Sequence, residues 1–451
     1  MKGILTVAGG AFIHVALGIL FTFGNINLYI TSYLRFRSSS VSVEYSDSML
    51  IMGCIQISMH IALMFGGVIE LKLGARITSF LGGLLLSLGL VMTYFTARHS
   101  FAATSVSYGL TFGLGIGIGY SSSLGRAMQW YPNNKGLVGG LVIGGSGVAA
   151  IMFSALETGY TNPNNLVPNV TIEPNNDKFF GEAEVLDRVP YLFLLLGVVC
   201  FALCSIGAML LFEPPPVNVM EETKEGRTLF QELTHIDDFT EEDGLFENEI
   251  DAPGDIPPLQ IIKKKQFWIL WFLSLVNGEA VIFITTFYKA YGVTFISNDH
   301  FLALVGSVGT GFISVGRISW GVVADRLPLK IGLIIQNGIM LFLLLTFTLS
   351  EKAGKWMYFI WVVTMFTTMA GTTTYLTAAT AATFGLKYFA TNYGLVSSSM
   401  IPGGILGSIL SQYLSDLIGW WGIFTLVAGF SCLGIGLSFL YDSKVGKPSF
   451  D

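Results

Sequence analysis

Twelve apolar runs constrain this chain more than any other feature. They fall at roughly 4–30, 48–70, 77–97, 101–125, 136–157, 190–213, 266–290, 301–323, 330–350, 356–384, 390–414 and 420–441. Each holds about the twenty residues needed to cross a bilayer as a helix. Inside lipid the backbone must satisfy its own hydrogen bonds, so runs of this length are helical. Composition agrees: only 12% of residues are charged, against about a quarter in a soluble domain. The 53 glycines suit helices that approach one another closely. The expected class is an all-α membrane protein of twelve transmembrane helices. The apolar run that begins at residue 4 lacks a small-residue cleavage site and reads as the first span.

Two links are long. Residues 158–189 are polar and rich in Pro and Asn, and residues 214–262 are acidic and Pro-rich. The acidic link has the composition of a disordered segment. It divides the chain into an N-terminal six-helix half, 1–213, and a C-terminal six-helix half, 263–451. With the N-terminus inside, fifteen Lys and Arg fall on the cytoplasmic side, eight fall outside and Arg317 lies within the membrane. That bias orients both termini toward the cytoplasm. Asn169, in an "NVT" glycosylation sequon, then lies outside. Lys263, Lys264 and Lys265 are placed to anchor the seventh span against anionic lipid.

The halves repeat. "GVIELKLGAR" after the second span matches "GVVADRLPLK" after the eighth, and "GLVGGLVIGGSGVAA" from Gly136 matches "GLVSSSMIPGGILGS" from Gly394. Both pairs are separated by about 255 residues. Duplicated halves about a pseudo-two-fold axis are a transporter architecture, with the binding site between them near the midplane. No phosphate-binding GxxxxGK[ST] loop, nucleophile cluster or basic stripe is present. The pattern therefore points away from an ATP-driven pump, an enzyme and a nucleic-acid binder. The four cysteines all sit in apolar runs, with Cys200 and Cys204 on one helix face, which suits buried thiols rather than a disulfide framework or a zinc site. No cofactor and no metal is expected.

These stretches resemble the major facilitator superfamily. "GVVADRLPLK" is similar to its cytoplasmic loop motif, in which an acid and a base clip neighbouring helices together; here they would be Asp325 and Arg326. The first copy departs, with Leu71 in the acid's place. "YSSSLGRAMQWYPNNKGLVGGLVIGGSGVAA" resembles the fourth-to-fifth-span signature of the oxalate/formate antiporter and monocarboxylate transporter branch. The resemblance implies alternating access by two six-helix halves.

Arg317 in "GFISVGRISWGVVADR" lies about 12 Å inward from Asp325 along a helix. A guanidinium there costs about 2.5 kcal/mol or more unless something compensates it. A substrate carboxylate would do so bidentately; a structural arginine would instead snorkel to the interface or pair across helices. In the resembled branch an eighth-span arginine binds the substrate anion, and Arg317 falls at that motif position. Oxalate carriers add a cation in the eleventh span, where this chain has none. One fixed charge matches one carboxylate, so the expected cargo is a small organic monoanion of the lactate, pyruvate or formate type. It would move by proton symport or anion exchange.

Glu279, near the middle of the seventh span, and His14, in the first, are the protonation candidates. Either also reads as a hydrogen-bonded structural group, the commoner case for a mid-span His, and Glu279 also as an ion-pair partner of Arg317. Gln56 and His60, one turn apart, and Asn25 are polar groups that would line the pathway or join helices. The resemblance places Tyr120 as a cavity aromatic, and Tyr375 is a second cavity candidate. Two rivals remain: a carrier of amino acids or other small solutes in which Arg317 is structural, and a non-transporting receptor or scaffold. The expected setting is a multi-pass monomer in the plasma membrane or an endomembrane, whose partners are its anion, protons and the lipid bilayer.

Overall fold

The structure is a computed structural model that describes residues 1–38, 43, 45–166, 168–172, 177–214, 255–296 and 299–442. Most of the acidic link and the final residues of the chain lie outside this set. Along the chain run α1 (Lys2–Leu17), a 3₁₀ turn (Gly18–Thr22), α2 (Phe23–Arg37), α3 (Tyr45–Thr96), α4 (Phe101–Thr104), a π-helical segment (Ser105–Thr111), α5 (Phe112–Trp130) and α6 (Lys135–Thr161). A short antiparallel pair follows, β1 (Val170–Ile172) and β2 (Asp177–Phe179), with Thr171 opposite Lys178. Then come α7 (Ala183–Leu186) and α8 (Val189–Met209). After the acidic link stand α9 (Pro258–Ile261), α10 (Lys265–Val293), α11 (Asp299–Arg326), α12 (Leu329–Phe347), α13 (Ser350–Ala353), α14 (Lys355–Phe384), α15 (Phe389–Ser397) and α16 (Met400–Leu440).

The protein is an all-α membrane fold, with that one small hairpin as the exception among the described residues. Eight helical stretches among the described residues are long and apolar enough to cross a membrane by length and composition. The two longest helices each hold a reversal: Gly74 in α3 and Gly419 in α16 adopt φ of 79° and 60°, backbone that favours glycine. Each is therefore two passages joined tightly, which accounts for the second and third spans and for the eleventh and twelfth. The second loop copy turns differently, on Pro328 at the start of α12.

By its internal contacts the chain forms two compact units. One comprises Gly9–Ser123 and Gly144–Leu210. In it the "GLGIGIG" run of α5 is wedged between the two arms of α3. At helical spacing Gly113 and Gly117 face Ile55 to Leu63, while Gly115 and Gly119 face Gly82 and Leu86. A methyl group at Gly113, Gly115 or Gly117 would meet the neighbouring backbone, so close packing rather than propensity keeps this run glycine-rich. The hairpin packs onto the end of α2: Phe180 lies 5.3 Å from Tyr29, its amide donates to Ser32 Oγ at 3.1 Å, and Arg35 covers the Phe179 ring.

The other unit comprises Met1–Ala8, Leu124–Ile143 and the chain from Leu211 onward. Its core holds Tyr291, Phe347, Tyr358 and Phe424, buried and ring against ring at 4.8–5.7 Å. The lysines at 263, 264 and 265 are exposed where α10 begins.

Candidate functional site

Arg317 sits well inside α11 and is 6% exposed. Small residues put it there. Gly136 and Gly140 on α6 approach Gly321 and the Arg317 backbone so closely that a methyl group would collide, and Gly316 meets the Thr367 carbonyl of α14 in the same way. The two helices are thereby locked to either side of the Arg317 backbone. Its Nη1 donates to the Ile143 carbonyl at 3.0 Å, and Thr374 Oγ1 donates to the Arg317 carbonyl at 3.4 Å. The guanidinium is thus placed against the third turn of α6 and is almost fully buried.

Asp325 bonds the start of α6. Its two carboxylate oxygens accept the Gly136 and Leu137 amides at 2.7 and 2.6 Å. Both are first-turn N–H groups of α6, which have no partner within their own helix. Arg326 is exposed. In the first loop copy Leu71 is 51% exposed.

The other polar positions separate into local and long-range groups. His14 and His60 each donate Nδ1–H to the carbonyl one turn back, Gly10 at 3.0 Å and Gln56 at 2.8 Å. A carbonyl only accepts, so this bond fixes the proton on Nδ1 in the neutral ring. The His14 ring also meets Tyr120 edge-on at 4.7 Å. Gln56 Oε1 is buried without a hydrogen-bond partner among the described residues. Tyr375 is fully buried, with its ring 5.8 Å from Trp320 and its hydroxyl aimed at Gly332. It lines a cavity of about 10 Å³ with Ser274, Asn277 and Thr372, room for about one water molecule. Asn169 is exposed beside the hairpin, its amide nitrogen donating to Glu182 at 2.8 Å.

Glu279 on α10 is fully buried, and neither carboxylate oxygen has a hydrogen-bond partner among the described residues. The ion pair with Arg317 that the sequence leaves open is therefore not formed. Gly403, at the start of α16, lies against Oε1.

One carboxylate was not anticipated. Glu157 on α6 is fully buried. It accepts Thr22 Oγ1 at 2.5 Å and Asn25 Nδ2 at 2.8 Å. Asn25 also reaches Thr158 at 3.2 Å. The apolar run read from sequence stops at Glu157, where an acid looks interfacial; α6 in fact continues to Thr161. The signal that would have found it is a polar pair in the first span, and only Asn25 of that pair stood out.

A family model described as "Major Facilitator Superfamily" matches residues 15–384. Among curated proteins, the chain is 27% identical to apicoplast pyruvate carrier 1 of Toxoplasma gondii over 94% of this chain and 86% of that protein. It is 21% identical to the oxalate:formate antiporter of Oxalobacter formigenes over 85% of this chain and 79% of that protein. Among solved structures, the fucose:proton symporter of E. coli superposes with a TM-score of 0.66 at 14% identity, covering 98% of this chain and 99% of that one. With a matching family model over most of its length and the same fold, the chain belongs to the major facilitator superfamily of membrane transporters.

Proposed function

We propose that this chain carries a small organic monoanion, of the lactate, pyruvate or formate type, by alternating access between its six-helix halves, 1–213 and 263–451. The observation that carries the reading is Arg317, a buried guanidinium within a spanning helix. Its planar fork matches a carboxylate, and its single charge suits a monoanion. Relatives named as a pyruvate carrier and an oxalate:formate antiporter support that substrate class. The Ile143 carbonyl accepts from the guanidinium and holds it in place. The carrier acts as a monomer with both termini cytoplasmic, in the plasma membrane or an endomembrane, and couples to protons or to a counter-anion. Among the protonatable groups within spans, Glu279 and His14 are the ones the sequence points to for the first of these.

A second reading has Arg317 as a structural tie between α11 and α6 and a neutral or zwitterionic cargo. The Arg317–Ile143 hydrogen bond favours it. Uptake of labelled pyruvate, lactate and formate into proteoliposomes, with and without a pH gradient, separates the two. In Arg317→Ala, carboxylate uptake should fall by about a hundredfold or more, as expected when a charged hydrogen-bonding partner of the substrate is lost. Unchanged carboxylate flux in that variant would remove the reading.

A further inference from the structure

The first span is not one helix. α1 ends at Leu17, a 3₁₀ turn runs from Gly18 to Thr22, and α2 resumes at Phe23. Thr22 itself has φ −95° and ψ 4°, outside the helical range. A 3₁₀ stretch in mid-helix marks a hinge or a strained sequence, and here nothing in "GILFT" demands it: no proline interrupts the run. What lies at the break is α6. Gly18 abuts Ser146 and Ala149 of that helix, and Thr22 and Asn25 reach Glu157. Glu157 therefore fastens the break through Thr22 in the turn and Asn25 in the first turn of α2.

The surroundings of Glu157 are neutral. The titratable groups near enough to act on it are Tyr29 from α2, Tyr108 from the π-helical segment and Cys200 from α8. None of these carries positive charge in any protonation state. No cation lies within ion-pair distance of Glu157 among the described residues. The ionised carboxylate is held only by hydrogen-bond donors, and both are arranged for an acceptor. Protonation turns one oxygen into a donor and removes the charge that strengthens the two bonds. The Thr22 hydroxyl must then turn or let go; its Oγ1 lies 2.8 Å from Ile19 O, so its single O–H has an alternative acceptor at hand. Asn25 is only half-buried.

We infer that Glu157 is a proton-binding site whose occupancy sets the geometry of the break in the first span. A proton arriving at Glu157 loosens the grip on Thr22 and Asn25 and lets α2 move relative to α1; its departure restores both bonds. This deepens the carrier reading by assigning the coupled proton a seat.

Two measurements test it. The first needs no substrate: hydrogen–deuterium exchange over peptides covering residues 18–30, at acidic and alkaline pH. After correction for the base-catalysed intrinsic exchange rate, the parent should be less protected in this segment at acidic pH than at alkaline pH. Glu157→Gln, which cannot ionise, should show no such pH difference. The second is pyruvate transport in proteoliposomes containing a trapped pH dye. Glu157→Gln should retain pyruvate counterflow within about threefold of the parent while losing gradient-driven accumulation and the accompanying dye response, the pattern of a lost coupling step rather than lost binding. Glu157→Asp should recover part of that response. A variant that still accumulates pyruvate on a pH gradient overturns the inference. So does one that loses counterflow and accumulation together, which would make Glu157 structural. If the parent carries no carboxylate but its exchange at 18–30 still follows Glu157, the cargo reading fails and the proton site stands.

Discussion

Glu157 and Glu279 are both fully buried in spanning helices, and both replace lipid-compatible residues with a carboxylate. Their surroundings differ. Glu157 accepts hydrogen bonds from Thr22 and Asn25, whereas Glu279 accepts none among the described residues. Donors that converge on a carboxylate stabilise its ionised form. Only the first of these acids has groups arranged to hold a negative charge out of water. Burial alone does not mark a proton-carrying residue; what it is bonded to does, because coupling requires both protonation states to be accommodated in turn.

The largest effect is expected at the glycine of the break in the first span. At Gly18 an added methyl would press on Ser146 backbone and on the Ala149 Cβ, neither of which can yield without moving α6. Gly18→Ala should be the most damaging change in the molecule's first span, costing about 3 kcal/mol or more, the upper range for overpacking. Fluorescence-detected size exclusion after a heating series would report it as a lowered midpoint or as loss of the monodisperse peak. A variant that behaves like the parent would mean that α1 and α6 are not fixed against each other at the break.

Removing the carboxylates themselves comes next. Glu157→Leu leaves the Thr22 and Asn25 donors without their acceptor and should destabilise by about 1–3 kcal/mol. Glu279→Leu replaces an acid that makes no hydrogen bond with a residue of similar size, and should be neutral or raise stability by about 1 kcal/mol. Thermal unfolding of the two variants in the same detergent measures the gap. Equal losses would show that Glu279 is held after all.

Much of this molecule was legible in its sequence, for identifiable reasons. A passage through lipid writes itself as a run of apolar residues, so the spans were readable by length, and the Gly74 and Gly419 reversals only join neighbours. Asp325 was legible through its loop motif, and in the structure it accepts two first-turn amides of α6. Glu279 stood out because apolar residues flank it on both sides. Glu157 did not, because the polar "TGYTNPNN" follows it and gives an acid there the look of a helix end. Its role depends on Thr22 and Asn25, more than a hundred residues earlier, and neither stretch records that the other lies against it. The 3₁₀ turn was invisible for a related reason: "GILFT" is as apolar as the helix around it. The hairpin was hidden in a polar link, since strands of three residues leave almost no alternating pattern.

The smallest effect is expected at Gly403, and it probes the same contrast from the other side. A methyl group there would lie 3.2 Å from Glu279 Oε1 and 3.2 Å from Leu275 Cδ1. Both neighbours are side-chain ends, and each needs to shift by only a few tenths of an ångström. Whether Glu279 can shift depends on what holds it. With no hydrogen bond to break, the carboxylate swings aside, and Gly403→Ala should change stability by no more than about 0.5 kcal/mol, offset in part by the better helix propensity of alanine. Were the carboxylate pinned by directional bonds, the same methyl would break or bend them and cost about 1–3 kcal/mol, as lost bonds to buried charged groups do. A thermal midpoint indistinguishable from the parent would mark Glu279 as loosely held. A marked drop would mean that this acid too sits in a built pocket, and the distinction from Glu157 would then rest on the identity of its partners rather than on their number.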